Sequence, residues 1–181
     1  MLSHTLLDEQ AIKLALERLA SEVIERHAHN TPLMLVGIER RGVDLAHRLR
    51  TIISAKQGKS LPLGTLDINL YRDDWTSIID RPHIGVSSIP VDITNYTVLL
   101  IDDVLFSGRT VRAALDALLA YGRPKSVELL VLIDRGHREL PIQADYVGKK
   151  VTTRPEDQVS VLLMERDGKD LVCLETKESA S

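Results

Sequence analysis

Two adjacent carboxylates, Asp102 and Asp103, stand shortly before a run of small residues that includes Ser107, Gly108 and Thr110. Backbone N–H groups and hydroxyls of such a run can bind a phosphate group where a helix begins. The neighbouring carboxylates can hold the hydroxyls of a sugar, either directly or through a bound cation. Together these residue types provide the contacts that a ribose phosphate requires.

The residues around the two acids predict the elements that position them. Four consecutive aliphatic residues, Val98–Ile101, indicate a strand that is buried on both faces, as in a parallel sheet. From Arg109 onward the apolar residues follow helical spacing, with Val111 and Leu115 one turn apart. Two acids and a glycine could also do no more than end this strand and cap this helix. The full stretch from 98 to 110 favours the phosphate site.

A second loop repeats this arrangement. Leu33–Ile38 is continuously apolar and predicts a central strand, which ends in Glu39-Arg40-Arg41-Gly42 before a helix predicted over 43–55. Guanidinium groups bind phosphates in bidentate geometry. By themselves, Arg40 and Arg41 could be solvated side chains at a turn. Beside the 98–110 stretch, they are predicted to hold a diphosphate.

The totals limit the class of protein. With 181 residues the chain can form one domain, 1–181, with a proper core, and 176–181 are predicted to be a frayed tail. A net charge of −3 argues against coating nucleic acid through bulk positive charge, although a local basic patch stays open. The one cysteine, Cys173, the lack of a signal pattern and the lack of a membrane-length apolar run fit a cytoplasmic protein. Neither a Walker phosphate loop nor a Gly-x-Gly-x-x-Gly pattern occurs.

The remaining patterns predict alternating helices and strands. An amphipathic helix is predicted from its N-cap Asp8 to about His27. Further along the chain we predict strands over 64–71 and 126–133, a helix over 109–121, a short apolar piece over 144–147, and a hairpin of 159–164 and 171–174. The expected fold is therefore α/β: a single domain with a mostly parallel central sheet flanked by helices, plus a C-terminal β-hairpin.

The segment 72–88 shows no period and is long for a loop inside a compact domain. Its Arg72 and Arg81 could close over a bound diphosphate and exclude water. An exposed mobile hairpin explains the same residues equally well. Ligands of parallel α/β sheets bind beyond the carboxyl ends of the strands, where the 39–42 and 102–110 loops are both expected.

The stretch Val98–Thr110 resembles the binding motif of type I phosphoribosyltransferases, which use 5-phosphoribosyl-1-diphosphate (PRPP). The resemblance implies a small hood beside the main sheet and Mg²⁺ as the cofactor, near Asp102 and Asp103. It also implies that these two acids contact the ribose hydroxyls. The residues expected to enclose the 5-phosphate are Val104, Leu105, Phe106, Ser107, Gly108, Arg109 and Thr110.

Beyond this motif, the chain resembles one subgroup, the bifunctional pyrimidine-operon attenuation regulators that are also uracil phosphoribosyltransferases. The matching pieces include Asp8–Ile12, Leu70–Asp74, Ile89–Thr94, Asp134–Pro141 and Asp145–Lys149. The resemblance implies conversion of uracil and PRPP to UMP and diphosphate. It further implies binding of pyrimidine-operon leader mRNA, promoted by UMP or UTP, and a homodimer or higher homo-oligomer.

Residue roles carried over from the resemblance fall into three groups. Asp102, Asp103, Arg40 and Arg41 are expected to be catalytic. Tyr146 is expected to stack on the base, and the Val147 backbone is expected to bind the edge of the base. Arg135 is expected to contact uracil or the UMP phosphate. The RNA-binding candidates are Arg18, Arg26, His137, Arg138 and Lys149, although scattered basic residues are usually solvated surface.

Three alternatives stay open at this point. The first is a purine phosphoribosyltransferase that uses hypoxanthine or guanine and has no RNA role. The second is a regulator that keeps the nucleotide site only as a sensor and makes no UMP. The third is a catalyst with no RNA role, which the acidic net charge mildly favours and the 134–141 match opposes.

Overall fold

A computed structural model describes residues 2–28, 32–72 and 86–176, and these residues form two sheets. The larger sheet has five strands in the order β3-β2-β4-β5-β6. All four neighbouring pairs are parallel, which confirms the predicted α/β class. Its strands are β2 Leu33–Ile38, β3 Leu63–Leu66, β4 Thr97–Leu105, β5 Ser126–Asp134 and β6 Tyr146–Lys150.

Helices cover both faces of this sheet. Alternate residues of β4 supply the two halves of the core: Leu99 and Ile101 pack on one face, Val98 and Leu100 on the other. The first face is covered by the two helices that begin at Glu9 and Arg41, and the second by the helix that begins at Arg109. These helices are α1 Glu9–Arg26, α2 Arg41–Gln57 and α3 Arg109–Leu119.

A smaller antiparallel sheet lies beside the main one, with the strand order β1-β8-β7. It contains β1 Leu2–Leu7, β7 Gln158–Leu162 and β8 Leu171–Thr176, and a one-turn helix, α4 Met164–Asp167, joins the last two. We call these four elements the hood. The predicted C-terminal hairpin is confirmed, with α4 in place of a tight turn. The third strand, β1, was not predicted.

The two largest differences from the predicted strand boundaries are at the ends of β3 and β4. β3 ends at Leu66 because the Asp67 carboxylate accepts the Asn69 N–H at 2.9 Å, and a 3₁₀ helix over Asn69–Tyr71 follows. β4 continues to Leu105, so Asp102 and Asp103 lie within the strand and not after it. Predicted residue Arg81 and the tail 177–181 lie outside the described residues. Within the described part of the chain, no helix is long and apolar enough to cross a membrane.

Ion pairs attach the hood to α2. The guanidinium of Arg48 contacts both oxygens of Glu165, at 2.8 and 2.6 Å, and both of Asp170, at 2.6 and 2.7 Å. Nearer the start of α2, Arg41 pairs with Asp167, and Asp44 pairs with Arg166. Hydrogen bonds from Arg48 lower the pKa of Glu165 and the pKa of Asp170 below their usual values. Docking of the hood therefore depends on carboxylates that must be ionised.

We predict that Arg48→Gln lowers the free energy of unfolding by about 2 kcal/mol at pH 7, as expected for hydrogen bonds to charged groups. The folded state lowers the pKa values of Glu165 and Asp170 below those of the unfolded chain, which are about 4. The stabilisation is therefore complete above about pH 4 and is lost as the pH falls through the lowered pKa values. Urea unfolding at pH 7 and about pH 3 should therefore show the two proteins converging in acid. A control, Arg112→Gln, removes an exposed pair with Asp116 and should cost under about 0.5 kcal/mol. A difference that stays constant down to about pH 3 would contradict the electrostatic explanation.

Candidate active site

The paired acids lie near the carboxyl end of the central strand β4. Asp102 is 7% exposed, and one of its carboxylate oxygens accepts the Asp103 N–H at 2.9 Å. The Asp103 carboxylate in turn accepts the Val104 N–H at 2.8 Å. Burial, with repulsion from Asp103 second, raises the pKa of Asp102 well above its usual value. Hydroxyl donors or a cation at this position would stabilise the ionised form of this nearly inaccessible carboxylate.

The predicted phosphate loop, Val104–Thr110, begins in the last two residues of β4 and ends in the first two residues of α3. Gly108 is the N-cap of α3 and has a φ of 91°, a left-handed conformation that favours glycine. The Ser107 hydroxyl accepts the Arg109 N–H at 3.3 Å. A helix of 11 residues begins here, so the first-turn N–H groups and the helix dipole both favour an anion.

The predicted diphosphate loop, Glu39–Gly42, lies directly beside the acids. A Cβ on Gly42 would overlap the Ile101 carbonyl oxygen, and a Cβ on Gly37 would overlap the Val43 backbone. Gly42 therefore lets the loop approach β4 this closely, and Gly37 lets the start of α2 pack against β2. The structure brings the 39–42 and 102–110 loops together at one edge of the sheet, as predicted.

The two arginines of this loop have different environments. Arg40 is exposed, whereas one Arg41 nitrogen donates to both Asp167 oxygens, at 3.0 and 3.2 Å. The Arg41 Nε is buried and has no hydrogen-bond partner among the described residues. Arg41 thus contacts the hood through one nitrogen, and the role of the two arginines at a diphosphate stays a prediction. Arg72 is exposed at the end of its described segment.

Arg135 lies between the phosphate loop and a turn that sequence reasoning missed. Its guanidinium carbon is 4.2 Å from the Phe106 ring centroid, and one guanidinium nitrogen donates to the Arg154 carbonyl at 2.9 Å. It also contacts the Thr153 hydroxyl at 3.3 Å. Burial lowers the pKa of Arg135 below its usual value. The turn over 153–157 carries no motif, and its position near the site follows only from the path of the chain after β6.

Tyr146 does not lie where a base could stack on it. It pairs with Leu130 in the middle of β5, is 3% exposed, and donates its hydroxyl to Glu128 at 2.8 Å. The expectation of base stacking is therefore wrong, because the ring is part of the core beneath α1. The Val147 carbonyl accepts a hydrogen bond from Arg18 at 3.2 Å, and its role at a base edge stays a prediction.

Three of the RNA-binding candidates lie along α1 and the edge strand β6. Arg18 donates to the Gly148 carbonyl at 2.6 Å, and Lys149 donates to the Leu6 carbonyl at 2.8 Å. Arg26 contacts Glu128 at 3.3 Å. The Arg18 and Arg26 side chains are 47% and 51% exposed, so they remain candidates for phosphate contacts.

The other two candidates lie in the loop after β5. His137 has a φ of 60°, and its ring contacts the Thr153 carbonyl at 2.7 Å. Arg138 uses four of its five N–H donors on protein acceptors, and its side chain is only 23% exposed. The expectation of Arg138 as a free phosphate-binding side chain is therefore corrected: this guanidinium is committed to its own loop.

Comparison with known proteins identifies the family. The Phosphoribosyl transferase domain matches residues 3–167, and relatives named bifunctional protein PyrR match nearly the whole chain. The relative from Halalkalibacterium halodurans is 52% identical over 98% of this chain and 100% of its own. The relative from Alkaliphilus metalliredigens is 56% identical over 94% of this chain and 93% of its own. The chain belongs to the PyrR group of the phosphoribosyl transferase family.

Solved structures agree on the fold. A hypoxanthine phosphoribosyltransferase from Staphylococcus aureus has a TM-score of 0.70 at 24% identity, covering 96% of this chain and 92% of its own. The guanine-hypoxanthine enzyme of Leishmania tarentolae, in complex with GMP, has a TM-score of 0.70 at 17% identity over 97% of both chains. At these identities the likeness shows the fold alone. The predicted type I phosphoribosyltransferase fold, with its separate small sheet, is confirmed.

The acids suit a divalent cation that is shared with a substrate. Among the described residues no group of three or more His, Cys, Asp or Glu could hold a metal by itself. Mg²⁺ is typically bound through one or two carboxylates together with substrate phosphates and water. Asp102 and Asp103 match that donor set.

We predict that Asp102→Asn makes the protein more stable at pH 7 and less active. A carboxylate with a raised folded-state pKa destabilises the fold above its unfolded pKa, so its removal should add at least about 1 kcal/mol at neutral pH. Thermal unfolding should show a midpoint about 3 °C higher at pH 7 and a smaller gain at about pH 4.5. The exposed Asp116→Asn serves as the control. An unchanged or lower midpoint for Asp102→Asn at pH 7 would contradict this account of the buried acid.

Proposed function

We propose that the protein converts uracil and PRPP to UMP and diphosphate, and that it binds the leader mRNA of pyrimidine operons in response to UMP or UTP. The observation that carries this proposal is the roughly half-identical match to PyrR proteins over nearly the whole chain, for example 50% to that of Thermus aquaticus over 97% of both chains. The meeting of the acidic pair and the two ligand loops at one sheet edge supports it. A cytoplasmic homo-oligomer is part of the same proposal.

The ribose phosphate binds between β4 and α3 in this proposal. Asp102 and Asp103 hold the ribose hydroxyls, and the Val104–Thr110 loop holds the 5-phosphate at the start of α3. Binding energy gained at the phosphate can fix the sugar far from the reacting carbon. The negative charge of the acids also favours the cationic character that the sugar develops as diphosphate leaves.

The diphosphate binds over the 39–42 loop. Exposed Arg40 is the first cation available to it, and Arg41 becomes available when it leaves Asp167. Mg²⁺, when bound at the acids, supplies charge neutralisation for the departing diphosphate. Arg72 and Arg81 are proposed to shield the complex from water. Uracil binds near Arg135, between the phosphate loop and the 153–157 turn.

The catalytic half is tested by incubating the protein with PRPP, Mg²⁺ and uracil and identifying the product, with hypoxanthine in a parallel reaction. We expect UMP from uracil and no IMP from hypoxanthine. Asp103→Asn should lower the rate at least about tenfold with little loss of stability, since the change preserves the shape of a half-buried residue. Asp116→Asn, the same substitution on the exposed face of α3, should retain the wild-type rate. Turnover of hypoxanthine alone would indicate a purine enzyme.

The regulatory half is tested by a gel shift with pyrimidine-operon leader RNA and a scrambled RNA of equal length. We expect preferential binding of the leader RNA, strengthened by UMP. The double variant Arg18→Gln, Arg26→Gln should weaken binding at least about fivefold and make it less salt-dependent, because each removed phosphate contact lowers the salt slope. Equal affinity for both RNAs would favour a catalyst without an RNA role. Specific binding without UMP synthesis would favour a pure sensor.

A further inference from the structure

The guanidinium of Arg138 joins three backbone carbonyls and one carboxylate. It donates to the carbonyls of Phe106, at 2.8 Å, Gly136, at 3.2 Å, and Ile142, at 2.9 Å. Its remaining contact is the Asp134 carboxylate at 2.6 Å. Asp134 is the last residue of β5 and pairs with Leu105 of β4, so Arg138 is anchored to the rigid sheet. From that anchor its guanidinium reaches the Phe106–Ser107 peptide group of the phosphate loop.

The next peptide group of the loop is held in the same way. The Ser107 carbonyl accepts the Glu139 N–H at 2.9 Å and the Leu140 N–H at 3.1 Å. Ile142 closes the space beside Gly108, where an added Cβ would be 3.2 Å from the Ile142 Cβ. The 138–142 segment therefore covers one side of the phosphate loop.

These contacts fix the direction of two N–H groups. In a trans peptide the N–H points opposite to the C=O of the same unit. Because the Phe106 and Ser107 carbonyls point at the 138–140 segment, the N–H groups of Ser107 and Gly108 point away from it. Neither N–H has a hydrogen-bond partner among the described residues. Two N–H donors without a partner among the described residues thus point away from the 138–140 segment and can bind an anion there.

We propose that Arg138 is a positioning residue for the 5-phosphate: it turns the Phe106–Ser107 peptide so that the loop N–H groups face the ligand. The inference rests on the proposed nucleotide site but not on the identity of the base. Arg138 itself touches no substrate. Its loss would free the Phe106 carbonyl to rotate toward the phosphate, where an acceptor would repel the anion.

The test compares ligands that differ only in the phosphate. UMP and uridine are titrated into wild-type protein and into Arg138→Lys, which keeps the charge but cannot make all four contacts. We expect UMP affinity to fall at least about tenfold and uridine affinity to change less than about twofold. In the assay, KM for PRPP should rise more than kcat falls. Arg123→Gln, which removes an exposed guanidinium after the end of α3, should behave as wild type.

A second variant covers the case in which Arg138→Lys does not fold. Asp134→Asn keeps an acceptor for the guanidinium but removes the charge that anchors it, so it should show the same pattern to a smaller extent. Unchanged UMP affinity in the folded variants would overturn the proposal. An equal loss for UMP and uridine would also overturn it, since that result indicates general distortion of the site.

Failure of the proposed function gives a different result. If the wild-type protein binds no UMP, uracil is not its base, and the comparison is repeated with IMP and inosine. A selective loss of IMP affinity in Arg138→Lys would then support the positioning role while the uracil assignment is wrong. If the wild-type protein binds neither nucleotide, the positioning role is overturned as well.

Discussion

The site depends on how closely the start of α2 approaches β4. Gly37 and Gly42 have no side chain, and any Cβ at either position would overlap backbone atoms. Since backbone cannot move aside as a flexible side chain can, glycine at position 42 is the condition for bringing the 39–42 loop beside Asp102, and Gly37 lets the start of α2 pack against β2. Without this contact the 39–42 loop and Asp102 would be separated by the width of a side chain. The parallel order of β2 and β4 then places both loops at one edge.

A second constraint follows from the first. The loop that approaches β4 also excludes water from Asp102, whose carboxylate is buried beside a second carboxylate. Ionisation of Asp102 is therefore unfavourable in the folded protein without ligand, and ribose hydroxyls or a cation at this position would offset that cost. Groups that a ligand requires often lower the stability of the ligand-free fold in this way.

The central part of the fold could be predicted from local patterns, because β2, β4 and β5 are buried on both faces and read as continuous apolar runs. β1 could not be predicted in this way. Its residues Leu2–Leu7 show no alternation and become a strand only by pairing with β8, at the other end of the chain. The same reason explains Tyr146: its aromatic ring is visible in the sequence, but its depth in the sheet is set by pairing with β5.

Arg138 shows most clearly what residue type alone cannot reveal. A basic residue in a loop is usually solvated, and the partners that bury this one are backbone carbonyls, which every residue carries and no motif marks. The 134–142 segment holds the phosphate loop through Arg138 and presents His137, whose ring contacts Phe106 edge-on, with ring centroids 6.1 Å apart. In the proposed regulator, RNA at His137 and nucleotide at the phosphate loop would act on the same short segment. Linkage then requires each ligand to change the affinity of the other by the same factor.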